Sequence, residues 1–157
     1  MRIKRWQAYA AGIMSAEAVG IFAGLLTRED TRIYAESVVK PALAPPGWVF
    51  PIAWTLLYAL MGIGAAGAYL ADDSPQRGRA LWFYGLQLFL NFCWCFIFFS
   101  LQAFGAALIW LLIVFGSVLL MTLFFYRLDK TAGLLQVPYL LWLSFALYLN
   151  WGVWTLN

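Results

Sequence analysis

The sequence predicts an all-α integral membrane protein, a bundle of five transmembrane helices. Three observations carry that reading. The chain is 64% hydrophobic and only 11% charged, against about 45–50% and 25% for a soluble domain. Five segments reach the roughly 20 apolar residues that a spanning helix needs. The stretches between them leave no room for a separate soluble domain, so residues 1–157 form one domain.

The predicted spans are about 6–26, 49–71, 80–101, 103–125 and 132–156. The first follows a basic start that includes Arg2, Lys4 and Arg5. Ala16-Glu17-Ala18 resembles a small-residue cleavage site, but apolar character continues to Leu26 and makes a full span rather than a signal peptide. Ala8, Gly12, Ala16, Gly20 and Gly24 recur every fourth residue. Small residues on one face let helix backbones approach closely, inside the bundle or between two copies. Glu17 is the one acidic residue well inside a span. It reads as a functional group, as a carboxyl bonded to a neighbouring helix, or as one facing a wet cavity.

Between the first two spans lies a long loop, 27–48, rich in proline towards its end. Lys40 to Tyr58 holds four prolines and two tryptophans. Proline lacks an N–H and suits loops and first helical turns. This stretch therefore reads as a lid that turns into the second span. The second span carries a shorter small-residue pattern, Gly62 with Ala66 and Gly64 with Ala68. The second connection, Asp72–Arg79, is short and polar. A turn near Gln102 makes the third and fourth spans an antiparallel hairpin, and Tyr126–Thr131 joins the fourth to the fifth. No internal repeat appears, which argues against a transporter of inverted halves.

Lysine and arginine counts predict orientation. Arg2, Lys4, Arg5, Arg77, Arg79, Arg127 and Lys130 fall on the N-terminal side, against Arg28, Arg32 and Lys40 on the other. The bias puts the N-terminus in the cytoplasm and the lid and C-terminus across the membrane. The same placement at segment ends argues against nucleic-acid binding. With no histidine in the chain, the commonest metal ligand and general base is missing, and no metal site or Ser–His or Cys–His device is expected. Cys93 and Cys95 point to different sides of one helix and form neither a disulfide nor a chelate.

Three spans carry stripes mixing aromatics with a few polar groups. The second has Phe50, Trp54 and Tyr58. The third has Tyr84, Gln87, Asn91, Trp94 and Phe98. The fifth has Tyr139, Trp142, Ala146 and Asn150. Facing one another, they would enclose an apolar pocket with sparse polar handles; the alternative is tight helix packing. Asn91 favours a pocket, since a buried amide needs a partner on another helix or a ligand. Trp6, Trp48, Trp82 and Trp154 sit near predicted span ends and read as interfacial anchors.

Tyr34, Lys40-Pro41, Pro45-Pro46, Trp48-Val49-Phe50-Pro51, Ala53-Trp54-Thr55 and Leu57-Tyr58 resemble the signature of the TspO/translocator protein family, the peripheral benzodiazepine receptors. Gln87, Leu90-Asn91, Trp94 and Phe98-Phe99 are similar to its third helix, and Pro138-Tyr139, Trp142, Phe145-Ala146 and Leu149-Asn150 to its fifth. The resemblance covers almost the whole chain. It implies a bacterial-type receptor or sensor, a homodimer whose first loop closes over a pocket for porphyrins such as protoporphyrin IX and for benzodiazepine- or isoquinoline-type ligands. By matching position the pocket would take Tyr34, Pro45, Phe50, Trp54, Tyr58, Asn91, Trp94, Cys95, Trp142, Ala146 and Leu149. No cofactor is implied; the porphyrin is ligand or substrate. Some bacterial members degrade protoporphyrin in light using two pocket tryptophans, here Trp54 and Trp142. Transport of a small hydrophobic or anionic molecule is the remaining reading. Two departures stand out. Leu43 replaces the aromatic that many members carry after the Lys-Pro, which implies a lid that stacks less strongly. Nothing basic follows Tyr148, as the family's sterol motif requires. Leu123, Tyr126 and Lys130 meet only its loose form, so sterol binding is not expected.

Overall fold

A computed structural model describes residues 4–157; Arg2, counted above for orientation, lies outside them. Seven α-helices and one π-helical turn build the described residues. They are α1 (Arg5–Leu26), α2 (Arg28–Ser37), α3 (Val49–Leu70), α4 (Pro75–Cys95) with a π turn at Phe96–Ser100, α5 (Phe104–Leu128), α6 (Lys130–Leu134) and α7 (Val137–Leu156). Five helical segments are long and apolar enough to cross a membrane: α1, α3, α4 with its π turn, α5, and α6 with α7. At 1.5 Å per residue even α1 is about 33 Å long, enough for the hydrocarbon core.

The hydrophobic core runs along α5. Leu111, Val114, Val118, Met121 and Phe125 are buried at alternating steps of three and four, which keeps one face of the helix inward. They meet Met61 and Ala65 of α3, Leu88 of α4, and Tyr139 and Leu143 of α7. Most exposed residues on the spans are large and apolar, as lipid requires.

Small residues set the closest approach. A Cβ at Gly12 would lie 2.3 Å from the Gly62 carbonyl oxygen, and one at Gly62 would lie 2.5 Å from the Gly12 backbone. The small faces of α1 and α3 are thus used against each other within the chain. Gly64 serves α3 in the same way against Gln136 and Ala132.

The structure corrects several expected boundaries. The third span begins at Pro75, not residue 80, because the Ser74 hydroxyl accepts from the Arg77 amide at 3.2 Å and Pro75 opens the first turn. Trp82 therefore lies about two turns inside α4 rather than at its end, although it remains exposed, as do Trp6, Trp48 and Trp154. The fourth span runs to Leu128. Only Asp129 separates it from α6, its carboxylate capping the Thr131 and Ala132 amides. The fifth span is broken at Leu135–Gln136 because Pro138, in the first turn of α7, cannot continue α6. The loop 27–48 is not all loop: α2 occupies ten of its residues, with Arg32 paired to Glu29 and Glu36 along one side. The turn between the third and fourth spans falls at Gln102, which adopts a left-handed φ of 49°.

Candidate functional site

One cavity of about 740 Å³ lies beneath the loop between α2 and α3, inside the 300–1,000 Å³ range of small-molecule sites. All eleven residues assigned to a pocket from sequence line it: Tyr34 and Pro45 above, Phe50, Trp54 and Tyr58 on α3, Asn91, Trp94 and Cys95 on α4, and Trp142, Ala146 and Leu149 on α7. Helical spacing explains each wall. Residues four apart share a face, so each stripe turns a single side to the space.

The walls are aromatic and mutually braced. Trp54 sits 5.5 Å from Tyr58, 6.1 Å from Tyr139 and 6.4 Å from Trp142 between ring centroids, nearly perpendicular to Trp142 at 85°. Phe50 meets Trp142 edge-on at 5.9 Å. Edge-to-face pairs of this kind add about 0.5–1.5 kcal/mol each beyond area burial. They hold the indoles in place before any ligand arrives.

Beneath the cavity lies a polar chain. The Asn91 amide nitrogen donates to the Tyr58 hydroxyl at 3.2 Å and to the Tyr139 hydroxyl at 3.4 Å, and Tyr139 donates to Gln87 Oε1 at 2.9 Å. The partner that Asn91 needed therefore comes from α3 and α7. Asn150 is similarly engaged. It accepts from the Trp94 indole N–H at 3.2 Å and donates to the Phe104 carbonyl at 2.8 Å. Of the third-span stripe, Tyr84 turns away from the cavity and bonds the Gly12 carbonyl and Ser15 on α1.

The lid is fastened at three places. Tyr34 packs among Phe98, Phe99 and Phe104 at 5.3, 5.3 and 6.5 Å. Burial pushes its hydroxyl above the ordinary tyrosine pKa, so it stays protonated at neutral pH. Asp30 accepts a hydrogen bond from Ser100, in the π turn that ends α4. Asn157 accepts from the Val39 amide at 3.0 Å and donates to the Val39 carbonyl at 2.9 Å. Lys40 caps the end of α2 by donating to the Ala35 and Val38 carbonyls at 2.7 and 3.3 Å.

One reading needs correction. The walls are four, not three: α1 contributes Glu17, Gly20, Ile21, Ala23 and Gly24, and Thr27 follows at its end. The small-residue stripe of α1 divides between two tasks, since Gly12 packs on α3 while Gly24 has nothing within 4 Å of where a Cβ would stand. That division was absent from the periodicity, although the isolated Glu17 marked this face. Leu43 is not among the residues that line the cavity. It is 67% exposed, while Pro41, Ala44, Pro45, Pro46 and Gly47 form the cover.

Comparison with known proteins agrees with the sequence signature. The family model described as TspO/MBR family matches residues 12–155. The tryptophan-rich protein TspO of Chlorobaculum tepidum is 37% identical over 143 residues, 89% of each chain. The tryptophan-rich sensory protein of Cereibacter sphaeroides is 37% identical over 134 residues, 85% of this chain and 82% of the relative. The human translocator protein is 36% identical over 152 residues, 94% of this chain and 89% of the relative. A match over nearly the whole length, on a five-span helical bundle with a braced aromatic cavity, shows that this multi-pass membrane protein belongs to the TspO/MBR family.

Proposed function

We propose that the protein is a membrane receptor or sensor that binds a tetrapyrrole of the protoporphyrin IX class, and benzodiazepine- or isoquinoline-type ligands, in the cavity under the lid. The observation that carries this reading is the cavity itself: about 740 Å³, walled by Trp54, Trp142, Phe50 and Tyr58, with few free polar atoms. A flat aromatic ring needs stacking surface and a few hydrogen bonds, and that is what these walls offer. Relatives named as a sensory protein and a translocator protein fit a ligand-responsive role.

Titration of the purified protein with protoporphyrin IX, followed by the shift of the porphyrin absorption band, tests it. The Trp54→Phe, Trp142→Phe double variant is expected to bind about tenfold more weakly, the loss of roughly 1.4 kcal/mol of stacking. Equal affinity in both proteins would argue against this site.

The adjacency of Trp54 and Trp142 favours one second reading, a light-dependent degradation of the bound porphyrin that depends on these two indoles. Illumination of the complex decides between them. Porphyrin loss that slows when either tryptophan becomes phenylalanine marks an enzyme, and unchanged loss marks a binder.

The lysine and arginine distribution supports a cytoplasmic N-terminus in a bacterial membrane, with the lid and C-terminus on the other side. The family likeness supports a homodimer. Because Gly12 and Gly62 already meet within the chain, two copies would join through other faces, and light scattering of the purified protein measures the stoichiometry.

A further inference from the structure

Glu17 is the one acidic side chain on the cavity wall. It takes part in none of the ion pairs among the described residues, which join Arg32 to Glu29 and Glu36 and Arg77 to Asp73. Neighbouring polar groups satisfy one another instead, Ser15 with the Gly12 carbonyl and the Tyr84 hydroxyl, and among the described residues no hydrogen bond reaches the Glu17 carboxyl. One turn further along α1, a Cβ at Gly20 would lie 2.3 Å from the Tyr58 ring, so this face of α1 looks onto the aromatic wall. An ionisable group without a partner among apolar surfaces is costly and calls for a function.

The cavity's only cationic side chain, Lys40, sits in the lid and spends donors on the Ala35 and Val38 carbonyls. Below the lid the only formal charge on offer is therefore negative, and it stands beside π-faces that themselves attract cations. We propose that Glu17 is an anionic recognition site for a protonated amine, or a comparable cationic N–H group, carried by a flat aromatic ligand in this cavity. The carboxylate accepts a charge-assisted hydrogen bond from the cation, while Trp54 and Tyr58 cover the ring. The inference rests on the reading of the cavity as a site for flat aromatic ligands, and it adds a charge preference to it.

The test uses the full chain in lipid nanodiscs at neutral pH, with empty nanodiscs subtracted. The probes are 9-aminoacridine, which is cationic there, and acridine, the same ring system uncharged. Glu17→Gln is expected to weaken 9-aminoacridine binding about tenfold, close to 1.4 kcal/mol, and to leave acridine binding within about twofold. Equal affinity of both proteins for the cation overturns the proposal. A second arm needs no variant. Bound 9-aminoacridine should protect Glu17 from dicyclohexylcarbodiimide, read by mass spectrometry of the α1 peptide, and undiminished modification overturns the proposal too. Protoporphyrin IX is then added as competitor. If it fails to displace the probe while the Glu17→Gln effect persists, the tetrapyrrole reading fails and the cation site stands.

Discussion

Glycine at position 12 and glycine at position 24 have the same neighbours in sequence pattern and opposite jobs. A methyl group at Gly12 would meet the Gly62 carbonyl at 2.3 Å. Backbone cannot move aside as a flexible side chain can, so α1 and α3 must separate. Overpacking of this kind costs about 1–3 kcal/mol. Gly12→Ala is therefore expected to lower the thermal midpoint in detergent by several degrees, while Gly24→Ala, with open space around it, should leave it unchanged. Thermal unfolding followed by far-UV circular dichroism compares the two, and equal midpoints would remove the close-approach argument. Asn150 makes the complementary case for a polar residue. Replacing it with leucine leaves the Trp94 indole N–H and the Phe104 carbonyl without the partners they have now. The expected loss is about 1–3 kcal/mol by the same measurement. The sequence marked Asn91 as a group needing a partner but could not say whether helix or ligand would meet the need. That depends on which rotations bring Tyr58 and Tyr139 within reach, and no single helix's periodicity contains it.

At the scale of elements, the lid is an assembly of a helix, a strap and three fasteners. The local chemistry of α2 was present in the chain: Glu29 and Asp30 stand in its first turn, and Arg32 sits three and four residues from its acidic partners. It is easily overlooked because the segment is short and lies between two spans whose hydropathy dominates. The Asn157 fastener was not legible, since Val39 and Asn157 lie 118 residues apart and meet only when α7 returns to the lid side. Asn157 holds both the amide and the carbonyl of Val39, as a neighbouring strand would, and Pro41 packs on Gly152 close by. Asn157→Ala removes both hydrogen bonds without touching the cavity wall. Hydrogen exchange at the Val39 amide is expected to rise by about tenfold or more, equivalent to roughly 1.4 kcal/mol of local opening. Amides in the middle of α3 should not change. Unaltered exchange at Val39 would mean that the Tyr34 seat and the Asp30–Ser100 contact hold the lid without Asn157.

For the molecule as a whole, an odd number of spans puts the two ends of the chain on opposite sides. The lid, the Gln102 turn and Asn157 share one end of the bundle, as the Asp30–Ser100 and Val39–Asn157 contacts require. Lys4, Arg5, Arg77, Arg79, Arg127 and Lys130 belong to the other end. The charge bias was readable from composition at segment ends. The consequence for the cavity was not, because it depends on which end of the stripes the lid covers. If the basic end faces the cytoplasm, the cavity lies under a cover on the far side, and a ligand arriving from outside meets Pro45 and Tyr34 first. Single cysteines test this in a background with Cys93 and Cys95 replaced by alanine. Ser37→Cys, exposed at the end of α2, and Asp73→Cys, exposed in the α3–α4 turn, report the two ends. On intact cells or spheroplasts, a membrane-impermeant maleimide is expected to label Ser37→Cys and to reach Asp73→Cys only after permeabilisation. The reverse pattern would turn the protein over, make the cavity a cytoplasmic-side site, and place any ligand it senses inside the cell.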